Sequence, residues 1–438
     1  MAPDHRGKTG VLGVRLHGLL VDDEDHGCGD LPEAACHEVP GNALRILTAQ
    51  TLQSIGDKVV DAKAVLPWLL MAVGAPAAFV GLLVPLRESG SLLPQAALVP
   101  RIRRLAVRKW VWVAGGAGQA LAAATMAFAA ATLEGVGAGV VVLLALAGFA
   151  LARALSSVAS KDVLGRTVPK GQRGQVNGLA TVTSGAVAIT LGLALRSLGG
   201  ADSDAAVLAV LLSAAAGIWV LALAVYATVT EPAGGADDAL DVGWFAYGIR
   251  LLRDDAPFRR FVVVRTLLLV SALSPPFVVT LAVTDGGIGL AGLGPFVIAS
   301  GLAGLLGGAV FGRMADRSSR RLLVRASGSA SLLILLLLGV RALTGAEAAA
   351  WLYPLAYLLL MLAHTAVRVA RKTYIVDLAS GNKRTDYVAV SNTAMGVLLL
   401  LTGAVSSALA GLGVEFALGL LAAMGLLGVL AGRTLPEV

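Results

Sequence analysis

Gly312-Arg313-Met314-Ala315-Asp316-Arg317-Ser318-Ser319-Arg320-Arg321 is a basic run with a single acid, set between two long apolar stretches, 289–311 and 322–340. A segment of this kind joining two apolar helices marks topology, because Lys and Arg collect on the cytoplasmic side of a membrane. Its leading glycine and its density of charge predict a turn that works as a hinge, not a catalytic centre.

The surrounding chain fits that reading. The 438 residues are 57% hydrophobic and 14% charged, with mean hydropathy +0.80, whereas soluble domains carry about 25% charged residues. A bilayer core about 30 Å thick needs roughly 20 apolar residues per helix. The runs are rich in Leu, Ala, Val and Gly and do not alternate, so they read as helices, not barrel strands. The 53 glycines suit close helix packing. The net charge of +7 does not point to nucleic acid, because the bases cluster at the ends of apolar spans. The fold class predicted is an all-α polytopic membrane protein with twelve transmembrane helices in two six-helix pseudo-repeats. The spans fall at about 46–72, 77–99, 111–132, 136–158, 176–197, 205–229, 259–283, 289–313, 322–342, 349–370, 387–411 and 414–432. Residues 1–43 form a polar tail without the apolar core of a cleaved signal, 44–230 the first half, 231–258 a connecting loop and 259–438 the second half. Trp244 to Leu252 suit a short helix lying at the membrane interface.

Basic residues set the orientation. Arg101, Arg103, Arg104, Arg108 and Lys109 follow span 2, and Lys161, Arg166, Lys170 and Arg173 follow span 4. Arg313, Arg317, Arg320 and Arg321 follow span 8, and Arg371, Lys372, Lys383 and Arg384 follow span 10. Connections on the other face, such as Val73 to Pro76 and Leu133 to Gly135, are short and nearly free of bases. Both termini are therefore expected in the cytoplasm, with the chain a monomer in the cytoplasmic membrane. The halves also repeat: a shift of 212 puts Arg108-Lys109 on Arg320-Arg321, and a shift of 211 puts Lys161 on Lys372. That register favours a polar span 1, a turn at 74–76 and a span 2 holding Arg87.

The residues Gly312, Ala315, Asp316, Arg317, Arg320 and Arg321 resemble the signature loop of the major facilitator superfamily, between the second and third helix of a half. The resemblance spans about 44–432. Met314 stands where Leu is usual and Ser319 where a second Gly is usual. The cognate stretch of the first half, Leu98 to Lys109, holds Arg104 at the acid position and Pro100 within it. Gly178 to Gly200 has no Pro, unlike the fifth-helix signature of drug–proton antiporters. The resemblance implies alternating access, with Gly312, Asp316, Arg317, Arg320, Arg321, Arg104 and Arg108 in cytoplasmic gating loops. Asp316 then either latches the inward-closed state or serves topology alone.

Span 1 places Gln50, Gln53, Asp57 and Asp61 on one helical face, bordered by Lys58, with Lys63 further round. Span 2 adds Arg87 and Glu88 near mid-depth. Six uncompensated charges would cost roughly 15–20 kcal/mol at the bilayer centre, more than the usual stability of a domain. They must pair, face water or change protonation, and Asp57 or Asp61 with Arg87 is the expected pair. One reading is a proton or substrate cavity made by Gln53, Asp57, Lys58, Asp61, Arg87 and Glu88. The other is a fixed network holding span 1 to span 2. Lys63 reads as structural.

Arg153 and Arg265 lie near inner helix ends, where they either snorkel to the interface or bind an anionic substrate. His364 is a hydrogen-bonded structural residue or a proton relay. His26, Cys28, Cys36 and His37 in the tail have poor zinc spacing. No metal, cofactor, nucleotide-binding loop or hydrolase motif is expected. The sequence therefore predicts a secondary transporter, not an enzyme, that moves a small solute with protons as the coupling ion. Its direction is open. The rival is a transport-silent sensor or scaffold on the same fold.

Overall fold

The computed structural model describes residues 36–95, 98, 101–102, 104–169, 183, 185–194, 204–233, 244–286, 292–345, 352–378 and 383–437, and every regular element among them is helical. The twelve spans are present. Span 1 consists of two helices, Val39–Val59 and Val65–Ala72. Span 2 opens with a tight turn, Ala77–Phe79, and continues as Val80–Leu92. Spans 3, 4 and 6 are Lys109–Thr132, Gly135–Thr167 and Asp204–Ala227, and the described part of span 5 is Gly185–Ala194. Span 7 is again broken, into Ala256–Leu267 and Val270–Gly286. Spans 8 and 9 lie within Leu293–Thr344, and spans 10, 11 and 12 are Leu352–Leu378, Lys383–Ala410 and Val414–Gly432. The connecting segment carries the helix Trp244–Asp254. Gly74 takes φ 71 at the turn after span 1, a left-handed conformation that glycine adopts without steric cost.

The basic run 312–321 is built differently from the expected glycine-led turn. The chain stays helical from Leu293 through Arg317, and the break falls at Ser318 (φ −168, ψ 100). Ser318 Oγ accepts the Arg321 backbone N–H at 3.2 Å, so it caps the helix of span 9. Gly312 lies inside span 8 with open space around its Cα. A serine with an extended backbone and a capping hydroxyl can reverse the chain without a glycine.

Buried apolar residues form three cores. The largest unites both halves through the part of each span remote from the basic loops, and includes Trp68, Phe149, Trp219, Phe277, Phe296 and Tyr357. Toward the basic loops the halves have separate cores. One is centred on Trp112, Ala159 and Tyr226, the other on Phe258, Phe261 and Tyr374. The halves thus share one apolar core on one face, and each has its own on the basic face. Two tight seams link them. In the first, Pro85 of span 2 lies where a Cβ on Gly403 of span 11 would be, 2.0 Å from it. Ser89 Oγ donates to the Gly396 carbonyl at 2.7 Å in the same seam. In the second, a Cβ on Gly192 of span 5 would come 2.8 Å from the Gly294 carbonyl oxygen of span 8. On the joined face, Arg341 ties span 9 to Asp285 at 2.5 Å and to Glu415 at 2.8 Å.

Candidate functional site

The break in span 1 shapes the site. Pro67 has no N–H to give the Lys63 carbonyl, and its ring excludes a helical turn there. The helix therefore stops at Val59 and restarts at Val65. Asp61 Oδ1 accepts the backbone N–H groups of Lys63 at 2.8 Å and Ala64 at 2.9 Å, so it closes an Asx-type turn between the two helices. The unwound turn also brings Lys63 into a cavity that a continuous helix would have directed it away from.

That cavity, ≈420 Å³, lies between the halves. Asp57, Lys58, Asp61, Lys63, Arg87, Glu88 and Arg153 line it from the first half. Arg265, His364, Arg368, Arg371 and Asn392 line it from the second. Asp57 is held between two guanidinium groups, with Arg87 Nη2 at 3.0 Å from Oδ1 and Arg153 Nη1 at 2.6 Å from Oδ2. Arg87 also lies over the Phe149 ring, 4.7 Å from its centroid. Glu88 is within electrostatic reach of Lys63, Arg371, Arg87 and Arg368. Lys63 Nζ and His364 Nε2 meet at 2.8 Å across the two halves.

Three expectations change with this geometry. Arg153 does not snorkel to the interface but pairs with Asp57, and Arg265 is only 7% exposed in the cavity wall. Arg265 donates to Ser391 Oγ at 2.5 Å and to Asn392 Oδ1 at 3.4 Å, while its Nε has no partner. Neither arginine stands at a helix terminus of its span: the helix of Arg153 continues to Thr167, and that of Arg265 begins at Ala256. Gln53, by contrast, is not in the lining: it is buried against span 3 and donates to Gln119 Oε1 at 3.3 Å.

Sequence reasoning placed Arg371 in a loop and did not single out Arg368. Span 10 continues to Leu378, so both stand on its wall. The signal was there, since His364, Arg368 and Arg371 are spaced four and three apart and share a helical face. The lining holds seven Lys or Arg and three Asp or Glu, an excess of four positive charges. Each unpaired charge at mid-membrane costs about 2.5–3.5 kcal/mol, so this excess needs water or an anion. Trp68, Phe296 and Tyr357, from spans 1, 8 and 10, pack together in the core that joins the halves. Their rings lie 6.4 Å and 5.2 Å apart in sequence and are at most 1% exposed. A wider hollow, ≈1370 Å³, is lined mainly by alanines of spans 3 and 6, with Glu134 its one charged residue. It lacks the convergent polar groups of a binding site.

The two basic hinges are each held by a glutamate from the end of their own half. In the first, Glu231 Oε2 accepts the backbone N–H groups of Arg108 at 2.8 Å and Lys109 at 2.7 Å. This places a carboxylate on the N-terminus of span 3. Arg108 also pairs with Asp162 at 3.1 Å. In the second, Glu437 meets Arg320 at 2.6 Å and Arg321 at 3.2 Å, and accepts from Ser318 at 3.0 Å. Neither glutamate was singled out from the sequence. Arg104 and Arg317 are exposed. The Asp316 side chain, like His26 and Cys28 of the tail, lies outside the described residues.

The sequence profile described as Major Facilitator Superfamily matches residues 47–396. No curated protein matches the chain. Several solved structures share its fold. A D-xylose–proton symporter has a TM-score of 0.67 at 12% identity, covering 90% of this chain and 98% of its own. The nucleoside transporter NupG has a TM-score of 0.72 at 11% identity, covering 90% and 99%. A POT family transporter in complex with a thioalcohol-conjugated peptide has a TM-score of 0.70 at 10% identity, covering 92% and 97%.

Proposed function

The chain belongs to the Major Facilitator Superfamily, and from that premise we propose that it is a secondary active transporter. It moves a small solute by alternating access, with protons as the coupling ion. The observation that carries this reading is the charged cavity between two helical halves that share an apolar core on one face and have separate cores on the other. Rocking the halves about the seams of spans 2 with 11 and 5 with 8 would part the joined face and close the basic one, exposing the same residues to the other side. By the distribution of Lys and Arg, the basic face is the cytoplasmic one. The state described here is then inward-facing.

Proton coupling rests on Asp57 and Glu88. A carboxyl group in a low-dielectric cavity takes up a proton more readily, and a nearby base opposes that. Asp57 is held by Arg87 of span 2 and Arg153 of span 4. Glu88 shares Arg371 with the opposite half. Motion of one half against the other changes the bases near Glu88, and with them its affinity for a proton. Purified protein in liposomes with an imposed pH gradient tests this against a solute panel. Glu88→Gln and Asp57→Asn should abolish gradient-driven uptake while solute exchange without a gradient persists. Asp57→Asn also leaves two arginines without their carboxylate, so Asp57→Glu is the folded comparison and should keep flux. Gradient-driven flux that survives both amide variants removes these carboxylates from coupling. No flux of any solute favours a sensor or scaffold.

A further inference from the structure

The cavity is more basic than a proton pathway needs. Three acids face seven bases, and the acids are already engaged. Asp57 is shared by Arg87 and Arg153, and Asp61 Oδ1 is taken by two backbone N–H groups. Glu88 alone serves Lys63, Arg87, Arg368 and Arg371. Arg265 has no carboxylate. Its guanidinium is oriented by Ser391 and Asn392, both neutral, and its Nε is buried without a partner. The Nδ1 of His364 is likewise buried without a partner. The bases in excess of carboxylates come from both halves: Lys58, Lys63, Arg265, Arg368 and Arg371 have only Glu88 to share among them or no carboxylate at all. Two guanidinium forks and an ammonium suit oxyanions, which accept paired, charge-assisted hydrogen bonds.

We propose that the solute is a small organic anion with at least two negative charges, carried as carboxylates or a phosphate monoester, and held between Arg265 and Arg371 of one half and Lys63 of the other. This rests on the transporter reading and adds the substrate class to it. The anion would neutralise the excess charge only when both halves approach it, so a loaded cavity closes more readily than an empty one.

The test uses the full chain in maltoside micelles, with melting followed by tryptophan fluorescence at constant ionic strength. Citrate and glycerol 3-phosphate are the anionic probes; xylose and choline are the uncharged and cationic ones. At least one anion should raise the melting temperature, while xylose and choline should not. Arg265→Gln and Arg371→Gln should each weaken anion binding by about tenfold or more, the loss expected for a charge-assisted hydrogen bond. Each should also leave the ligand-free melting temperature unchanged or higher, because a repelling charge has been removed. Arg260→Gln, on the exposed surface, should bind as the parent does. An anion effect that persists in the double variant Arg265→Gln/Arg371→Gln overturns the site. So does an equal effect of xylose or choline, or a lower ligand-free melting temperature in both single variants. Adding phosphatidylglycerol separates the sources of a phosphate: if the lipid abolishes the soluble anion's effect, a headgroup occupies the cavity and the soluble solute is overturned. Flux in liposomes keeps the two readings apart. Transport of xylose without the anions sinks the substrate class alone, whereas anion binding with no flux of any solute sinks the transporter reading alone.

Discussion

Asp61, read from the sequence as a cavity residue, lines the cavity and also holds a backbone turn. Its Oδ1 accepts two backbone N–H groups at the break in span 1. An asparagine Oδ1 could accept the same two bonds, whereas alanine could not. Asp61→Ala should therefore lower stability by about 0.5–1.5 kcal/mol, the usual net worth of such a hydrogen bond, and Asp61→Asn should cost much less. Thermal unfolding of the two variants checks this; equal losses would show that the charge, not the turn, matters. Asp57 is the reverse case, where no backbone group competes for the carboxylate and two arginines do. Helical spacing put Asp57 and Asp61 on one face and offered Arg87 as the partner of either; Asp57 is the one it meets, and Arg153 was not foreseen as its second partner. The same spacing contained the face of His364, Arg368 and Arg371. It was hidden because hydropathy ends a span where charges begin, and an aqueous cavity lets charges continue inside one.

At the scale of the element, the two basic hinges use two different devices for one task. The helix of span 3 begins at Lys109 without a side-chain cap of its own, and Glu231 supplies the acceptor from 122 residues away. The helix of span 9 is capped locally by Ser318, and Glu437 binds the hinge from outside. Removing Glu231 strands two N–H groups and a helix N-terminus at once. Glu231→Ala should thus destabilise the first half by about 1–3 kcal/mol, from unpaired donors and the lost dipole contact. Ser318→Ala should cost the second hinge about 1 kcal/mol. Hydrogen exchange at the first turns of spans 3 and 9 separates them: each variant should raise exchange in its own span alone. The sequence repeat at a shift of 212 aligned Arg108-Lys109 with Arg320-Arg321. It did not reveal the glutamates, which lie beyond the apolar spans where hydropathy carries no signal.

For the whole molecule, the arrangement of the cores says which face is open. One core joins the halves near Trp68, Phe296 and Tyr357, and two separate cores flank the basic face. After both native cysteines, Cys28 and Cys36, are replaced by serine, a membrane-impermeant maleimide should report this. Arg368→Cys should be labelled in inside-out vesicles and spared in right-side-out ones. Tyr357→Cys should be spared in both until a solute gradient turns the carrier over. Labelling of Tyr357→Cys from the outer side at rest would contradict the closed joined face. Hydropathy, charge asymmetry and internal repeat were enough by themselves to determine twelve helices, their pseudo-symmetry and a charged first span. These are local or periodic properties, and a bilayer permits few other ways to satisfy a backbone. Tertiary structure alone decided that Lys63, Arg265 and Arg371 converge, that Arg153 joins Asp57, and that Ser318, not Gly312, reverses the chain. Those outcomes depend on an unwound turn at Asp61, on helices that extend past their apolar runs, and on contacts between residues far apart in the chain, where hydrophobic periodicity holds no information.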